Sequence, residues 1–74
     1  MPLVNVKVVE GVFDDEQKRE MIEKLTETMV EIEGENMRSV TWVWVEEIKS
    51  GDLAIGGQAL TTEAVLSVRE GVPA

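Results

Sequence analysis

Two stretches of the chain carry the hydrophobic pattern of β-strands. Residues 1–10 (MPLVNVKVVE) set β-branched valines around the polar Asn5 and Lys7, which predicts a strand. Residues 39–46 (SVTWVWVE) place apolar side chains on both faces, a pattern typical of a strand that is covered on both sides.

The sequence between these two strands has a helical spacing. We predict a helix from about Asp15 to Glu33, because Asp14 and Gln17 have the types and separation of a capping box and Gly34 is a natural C-terminal stop. Its predicted inner face consists of apolar residues at helical intervals, namely Ile22, Leu25, Met29 and Ile32.

A strand, a helix and a strand in this order predict an α/β fold built on a β-α-β unit. Its two strands should be parallel and its crossover right-handed. One helix covers only one face of a two-stranded sheet, so the other face needs a further layer. We therefore expect residues 1–74 to form a single domain whose sheet is completed by oligomerisation.

The last third of the chain contains shorter elements. The loop over residues 48–57 contains Gly56-Gly57 and predicts a short hairpin. Either Thr61 or Thr62 begins a short second helix that extends to about Glu70, and Gly71 and Pro73 end it.

Composition removes several classes of function. The 74 residues include no Cys and no His, which leaves no disulfide and argues against a zinc site. The net charge of −8 argues against nucleic acid or an anionic membrane as a partner. No apolar run approaches the ~20 residues of a membrane span, and no signal-peptide pattern is present, so we expect a cytosolic protein.

Pro2 has the most specific candidate chemistry. A small second residue normally permits removal of Met1, which would leave Pro2 with a free secondary amine that can act as a general base. The alternative is that Pro2 only begins a strand, where its missing N–H is tolerated.

The order and spacing of several short motifs resemble the 4-oxalocrotonate tautomerase family, within the tautomerase superfamily. The similarity extends over roughly residues 2–60. In chain order the motifs are Met1-Pro2, Glu10-Gly11, Asp15-Glu16-Gln17-Lys18 and Ile55-Gly56-Gly57.

This resemblance implies a function and an assembly. Members are β-α-β subunits that pair into dimers and assemble into homo- or heterohexamers. Their amino-terminal proline moves a proton between carbon and oxygen of an enol or 2-oxo acid, without a cofactor or a metal. Carried over to this chain, Pro2 is the catalytic acid and base, and the partner is a small-molecule substrate.

Three positions depart from the family pattern. Val12 and Thr41 stand where the family has arginines, and Leu53 stands where it has an aromatic residue. We therefore expect a less acidic 2-oxo or enol substrate, bound by Thr41, Trp42 and Leu53. Of Arg38 and Lys7, Arg38 is the better candidate for a replacement cation, and the alternative is that it is an ordinary surface arginine.

Other functions remain open at this point. The chain can be a non-catalytic subunit of a hetero-oligomer whose partner supplies the arginines, or a small binding module that retains Met1. Trp42 and Trp44 either pack at an interface or in the core, or line a ligand site. Three carboxylates lie at strand ends, and they either activate a water molecule or are ordinary surface charge. They are Glu10, Glu46 and Glu47.

Overall fold

The computed structural model describes residues 1–71. In chain order, its elements are β1 (Leu3–Val9), α1 (Asp15–Glu33), a 3₁₀ helix (Glu35–Val40), β2 (Trp42–Ile48), β3 (Leu53–Ile55), β4 (Gln58–Leu60) and α2 (Thr62–Arg69).

The chain groups into two compact units. The first unit comprises Met1–Val6 and Asp14–Glu46, and the second comprises Lys7–Phe13 and the chain from Glu47 onward. The organisation of the whole chain as one domain stays a prediction.

β1 and β2 pair in a two-stranded parallel sheet. The Trp42 N–H donates to the Pro2 carbonyl at 3.0 Å, and the Glu10 N–H donates to the Ile48 carbonyl at 2.8 Å. Both partners advance along the sequence together, so the strands run in the same direction. The predicted parallel β-α-β arrangement is confirmed.

Helix α1 begins and ends as its sequence predicts. The Gln17 N–H donates to Asp14 Oδ1 at 2.7 Å, and the Asp14 N–H donates back to Gln17 Oε1 at 3.0 Å, which completes the capping box. At the other end, the Gly34 N–H donates to the Val30 carbonyl at 2.8 Å.

The inner face of α1 differs from the predicted stripe. Met29 is half-buried and Val30 is buried, but Ile22 is 38% exposed and Ile32 is 77% exposed. Successive helical residues are about 100° apart, so Val30 and Ile32 lie on opposite sides of Met29. The buried face is displaced toward Val30, and the prediction that Ile32 packs inside is wrong.

The approach to β2 also differs from the sequence prediction. Residues 35–40 form a 3₁₀ helix, so β2 begins at Trp42 and continues to Ile48. Within the described residues the chain covers one face of β2, as expected for a strand whose other cover was assigned to a further subunit. Val43 and Val45 are half-buried, whereas Trp42 is 60% exposed and Trp44 is 53% exposed.

The second unit contains the predicted hairpin. β3 and β4 pair antiparallel, with Leu53 opposite Leu60. Gly56 and Gly57 form the turn with φ values of 59° and 83°, the left-handed conformation that a two-residue type I′ turn requires at both positions.

Helix α2 begins at the first of its two candidate caps. The Thr61 hydroxyl accepts the Ala64 N–H at 3.1 Å, while the Thr62 hydroxyl donates to the Glu10 carbonyl at 2.6 Å. Pro73, which was expected to follow the helix, lies outside the described residues. Within residues 1–71, no helix combines the length and the apolar character needed to cross a bilayer.

Candidate active site

The first unit contains a groove with a volume of about 590 Å³. Its side chains come from the start of β1, one side of α1, the end of the 3₁₀ helix and the first half of β2. The residues that line this groove are Leu3, Ile22, Thr26, Ser39, Thr41, Trp42, Val43 and Trp44.

Aromatic and aliphatic side chains form most of the groove surface. Trp42 and Trp44 project from the same face of β2, because residues two apart in a strand share a face. Leu3, on the same side of the sheet, is 46% exposed. The groove therefore offers flat apolar surface that water covers in the isolated chain.

Thr26, Ser39 and Thr41 contribute hydroxyl groups to the polar part of the groove. Thr26 Oγ1 donates to the Ile22 carbonyl at 2.6 Å, a bond within α1. Thr41 Oγ1 lies 2.6 Å from Glu33 Oε2 and 2.8 Å from the Met37 carbonyl, both of which accept its hydrogen. Among residues 1–71, no Lys or Arg lines the groove.

Pro2 lies next to this groove along the chain. It is half-buried, it precedes the groove residue Leu3, and its carbonyl accepts the Trp42 N–H. The ammonium of Met1 donates to the Val40 carbonyl at 2.6 Å. While Met1 is attached, the Pro2 nitrogen is an amide with no basic lone pair.

The structure does not bring Arg38 into the groove. Its guanidinium makes four hydrogen bonds, two to Glu27 at 2.7 and 3.0 Å and two to Glu35 at 3.0 and 3.1 Å. The hydrogen bond from Arg38 lowers the pKa of Glu27, and the hydrogen bonds to Glu27 and Glu35 raise the pKa of Arg38. The donors that would hold a substrate carboxylate already serve these two side chains.

Three other positions singled out in the sequence, Leu53, Val12 and Glu10, belong to the second unit. Leu53 lies on β3 and is 39% exposed. Val12 is buried, and its carbonyl accepts a hydrogen bond from Arg69 Nη1 at 2.8 Å. Glu10 Oε1 accepts the Ser50 N–H at 3.1 Å, so this carboxylate has a structural partner.

Sequence reasoning missed several residues of the groove. The helical spacing of Ile22 and Thr26, four residues apart, was the signal that both face one side of α1. Ser39 was assigned to a strand and lies in the 3₁₀ helix instead. No pattern in the sequence pointed to Glu33 as the partner of Thr41.

Within the described residues, no three Asp, Glu, His or Cys side chains are grouped so that they could hold a metal ion. The absence of a metal or cofactor from the reaction stays a prediction.

The fold and groove define a small α/β chain whose first strand directly follows Pro2. A family model described as "Tautomerase enzyme" matches residues 2–63. The chain belongs to this tautomerase family, and the family supports assignment to the isomerases.

Individual relatives agree with this assignment. The 2-hydroxymuconate tautomerase of Bacillus subtilis (strain 168) is 39% identical over 61 residues, which cover 82% of this chain and 95% of the relative. The solved structure of YwhB, a homologue of 4-oxalocrotonate tautomerase, has a TM-score of 0.70 and 38% identity, covering 78% of this chain and 92% of that one. An apo unfused 4-OT structure has a TM-score of 0.70 and 34% identity, covering 86% and 98%.

Proposed function

We propose that this chain is a tautomerase in which Pro2, exposed as the first residue by removal of Met1, transfers a proton on a small 2-oxo or enol compound. The observation that carries the proposal is the family match, which begins at residue 2. The hydrogen bond between the Pro2 carbonyl and the Trp42 N–H supports it, because it ties Pro2 to a groove residue.

The chemistry requires Pro2 to be a neutral amine before the reaction begins. A secondary amine in water is protonated at pH 7, but apolar surroundings disfavour the ammonium form and lower its pKa. The neutral nitrogen takes the enol O–H proton and becomes an ammonium. It then returns that proton to carbon, which converts the enol into the ketone, and the reverse sequence is equally allowed.

The groove supports a substrate of low acidity. No lysine or arginine of the described residues lines it, and Arg38 is engaged by Glu27 and Glu35. In this proposal the substrate lies against Trp42 and Thr41, and Leu53 stays a predicted substrate contact. We assign Arg38 to bracing the 3₁₀ helix against α1 rather than to substrate binding.

The test combines the intact mass with the activity of one variant. The purified protein should have a mass that lacks methionine and should tautomerise enol or 2-oxo test compounds. Pro2→Ala should lose that turnover while its circular dichroism spectrum and oligomeric state stay unchanged. Retention of Met1, or full activity in Pro2→Ala, would refute the proposal.

A second candidate function is a structural subunit of an oligomer. One face of the sheet is exposed and apolar, and its side chains include Leu3, Trp42 and Trp44. An exposed apolar patch of this kind marks an interaction surface. We propose that a further subunit covers this face in a dimer-based assembly such as a hexamer. Sedimentation analysis tests this point, and a chain that assembles only with an arginine-bearing sister subunit would favour the structural function over catalysis.

A further inference from the structure

The hydrogen bonds between β1 and β2 follow one register from the start of the sheet to its end. At the start, the Trp42 N–H donates to the Pro2 carbonyl at 3.0 Å. At the end, the Glu10 N–H donates to the Ile48 carbonyl at 2.8 Å, which fits the same register. In a parallel ladder, a residue whose carbonyl accepts from one residue directs its N–H to the carbonyl two positions earlier on the partner strand. The ladder therefore assigns the Val40 carbonyl to the nitrogen of Pro2.

Proline interrupts the ladder at this position. While Met1 is attached, the Pro2 nitrogen carries no hydrogen and cannot donate to the Val40 carbonyl. The ammonium of Met1 donates to that carbonyl instead, at 2.6 Å. The Val40 carbonyl is therefore able to hold a protonated amine at the beginning of the sheet, where the ladder lacks its own donor.

Removal of Met1 gives Pro2 the hydrogen that the ladder lacks. A proline at the start of a chain is a secondary amine, with one hydrogen on nitrogen when neutral and two when protonated. Pro2 is half-buried, and its carbonyl is tied to the Trp42 N–H. Because that bond fixes residue 2 in the register of the sheet, one N–H of the free amine is directed at the Val40 carbonyl.

We infer that the Val40 carbonyl positions the Pro2 amine for proton transfer, by accepting one of its N–H groups in both the neutral and the protonated state. This inference rests on the proposed function, because only the removal of Met1 creates that N–H. With its one hydrogen engaged, the neutral amine has a single lone pair in a fixed direction. The ammonium then has a single second hydrogen to return to carbon. Val40 is a positioning residue, since it acts through Pro2.

The same hydrogen bond affects the acidity of the Pro2 ammonium. Apolar surroundings disfavour the charged form and lower the pKa of Pro2, whereas a hydrogen bond that is made to the charged form raises it. A carbonyl accepts more strongly from an ammonium than from a neutral amine. Weakening the Val40 carbonyl as an acceptor should therefore lower the pKa of Pro2, and this change can be measured.

An NMR titration of the unmodified chain is the first test. The chain is synthesised from Pro2 to its end, with ¹⁵N in Pro2 and ¹³C in the carbonyls of Val40 and Ile48. The Val40 carbonyl signal should move with pH at the same midpoint as the Pro2 nitrogen signal. The Ile48 carbonyl is the matched control, because it accepts from Glu10 at the other end of the ladder and should not follow that midpoint. A Val40 signal that does not follow Pro2 would overturn the inference.

A change to the backbone is the second test. An ester in place of the amide between Val40 and Thr41 weakens the Val40 carbonyl as an acceptor and keeps every side chain. The proton affinity of Pro2 should fall about 5-fold, and the rising limb of the pH profile of kcat/KM should move to lower pH by the same factor.

A second ester controls for a side effect of the first. The ester at Thr41 also removes the Thr41 N–H, which donates to the Arg38 carbonyl at 3.2 Å. An ester between Arg38 and Ser39 weakens that bond alone and should leave the proton affinity of Pro2 unchanged. Thermal unfolding shows whether each ester is folded, and the carbonyl titration of the unmodified chain decides the point if the first ester is not.

The outcomes separate this inference from the proposed function. An unchanged proton affinity in the folded Val40–Thr41 ester, or an equal change in both esters, would overturn the inference even with turnover intact. Because the synthetic chain begins at Pro2, its titration does not depend on the removal of Met1 in the cell. Activity that survives in Pro2→Ala would refute the proposed function and leave the hydrogen bond to Val40 standing.

Discussion

The two faces of the sheet in the first unit have opposite environments. One face carries half-buried valines, including Val43 and Val45, and the other carries the exposed Trp42 and Trp44. All four residues belong to the same strand and alternate along it. A crossover helix covers one face of a two-stranded sheet, so the valine face is the one that α1 protects.

This difference shows how a small chain separates folding from recognition. The side chains that are withdrawn from water stabilise the folded chain, and the larger aromatic side chains are left available to a ligand or a second subunit. The groove uses both sets, since Val43 and Thr41 line it together with the tryptophans. Substitutions on the two faces should therefore affect different measurements.

Pro2→Ala should give the largest effect and should affect function alone. Loss of a general acid and base lowers the turnover rate by about 10²- to 10⁴-fold. Steady-state kinetics with an enol test substrate measure the loss, and chemical denaturation should give an unfolding free energy close to that of the parent. A large loss of stability would show that Pro2 has a structural role instead.

A matched pair on α1 tests the protected side. Val30 is 6% exposed and Ile32 is 77% exposed. Val30→Ala should lower the unfolding free energy by about 1–3 kcal/mol, because it removes buried methyl groups and leaves a cavity. Ile32→Ala should change it by less than about 0.5 kcal/mol. Urea denaturation of both variants decides the point, and equal losses would contradict the assignment of the buried face.

Trp44→Ala tests the exposed face. It should weaken assembly of the subunits by about tenfold through loss of aromatic contact area, with little change in the stability of the isolated chain. Val45→Ala, the next residue on the opposite face, should show the reverse pattern. Sedimentation analysis and urea denaturation of the same two samples provide the comparison.

Asp14→Ala tests an element that belongs to neither face. Loss of the capping box should lower the unfolding free energy by about 1 kcal/mol, because the Gln17 N–H loses its acceptor. Asp15→Ala is the control, since Asp15 is in the first turn and is not the cap. A similar effect of both variants would point to helix-dipole charge rather than to the cap.

The smallest effect concerns the exposed cluster of Arg38, Glu27 and Glu35. The hydrogen bond from Arg38 lowers the pKa of Glu27, so this contribution to stability is present above the usual glutamate pKa of about 4.3. It is lost as the pH falls through the lowered pKa of the folded state. Between pH 7 and pH 3, the midpoint temperature of thermal unfolding should fall slightly more for the parent than for Glu27→Gln. Added salt should reduce this difference.

Local features of this chain were open to prediction from its sequence. The capping box of Asp14 and Gln17, the turn at Gly56-Gly57 and the alternation along β1 each depend on residues only a few positions apart. Hydrogen bonds and backbone sterics over such short distances are set by residue type, so the order of strands and helices, and with it the family, followed from the sequence.

Only the tertiary structure decided the groove. That Trp42 stays exposed, that Glu33 accepts from Thr41, and that Arg38 is engaged by Glu27 all depend on segments eight or more residues apart. Residue type does not specify such partners, because burial and long-range hydrogen bonds depend on where the backbone places each side chain. For the same reason Arg38 was a reasonable site candidate from sequence and is a surface brace in the folded chain.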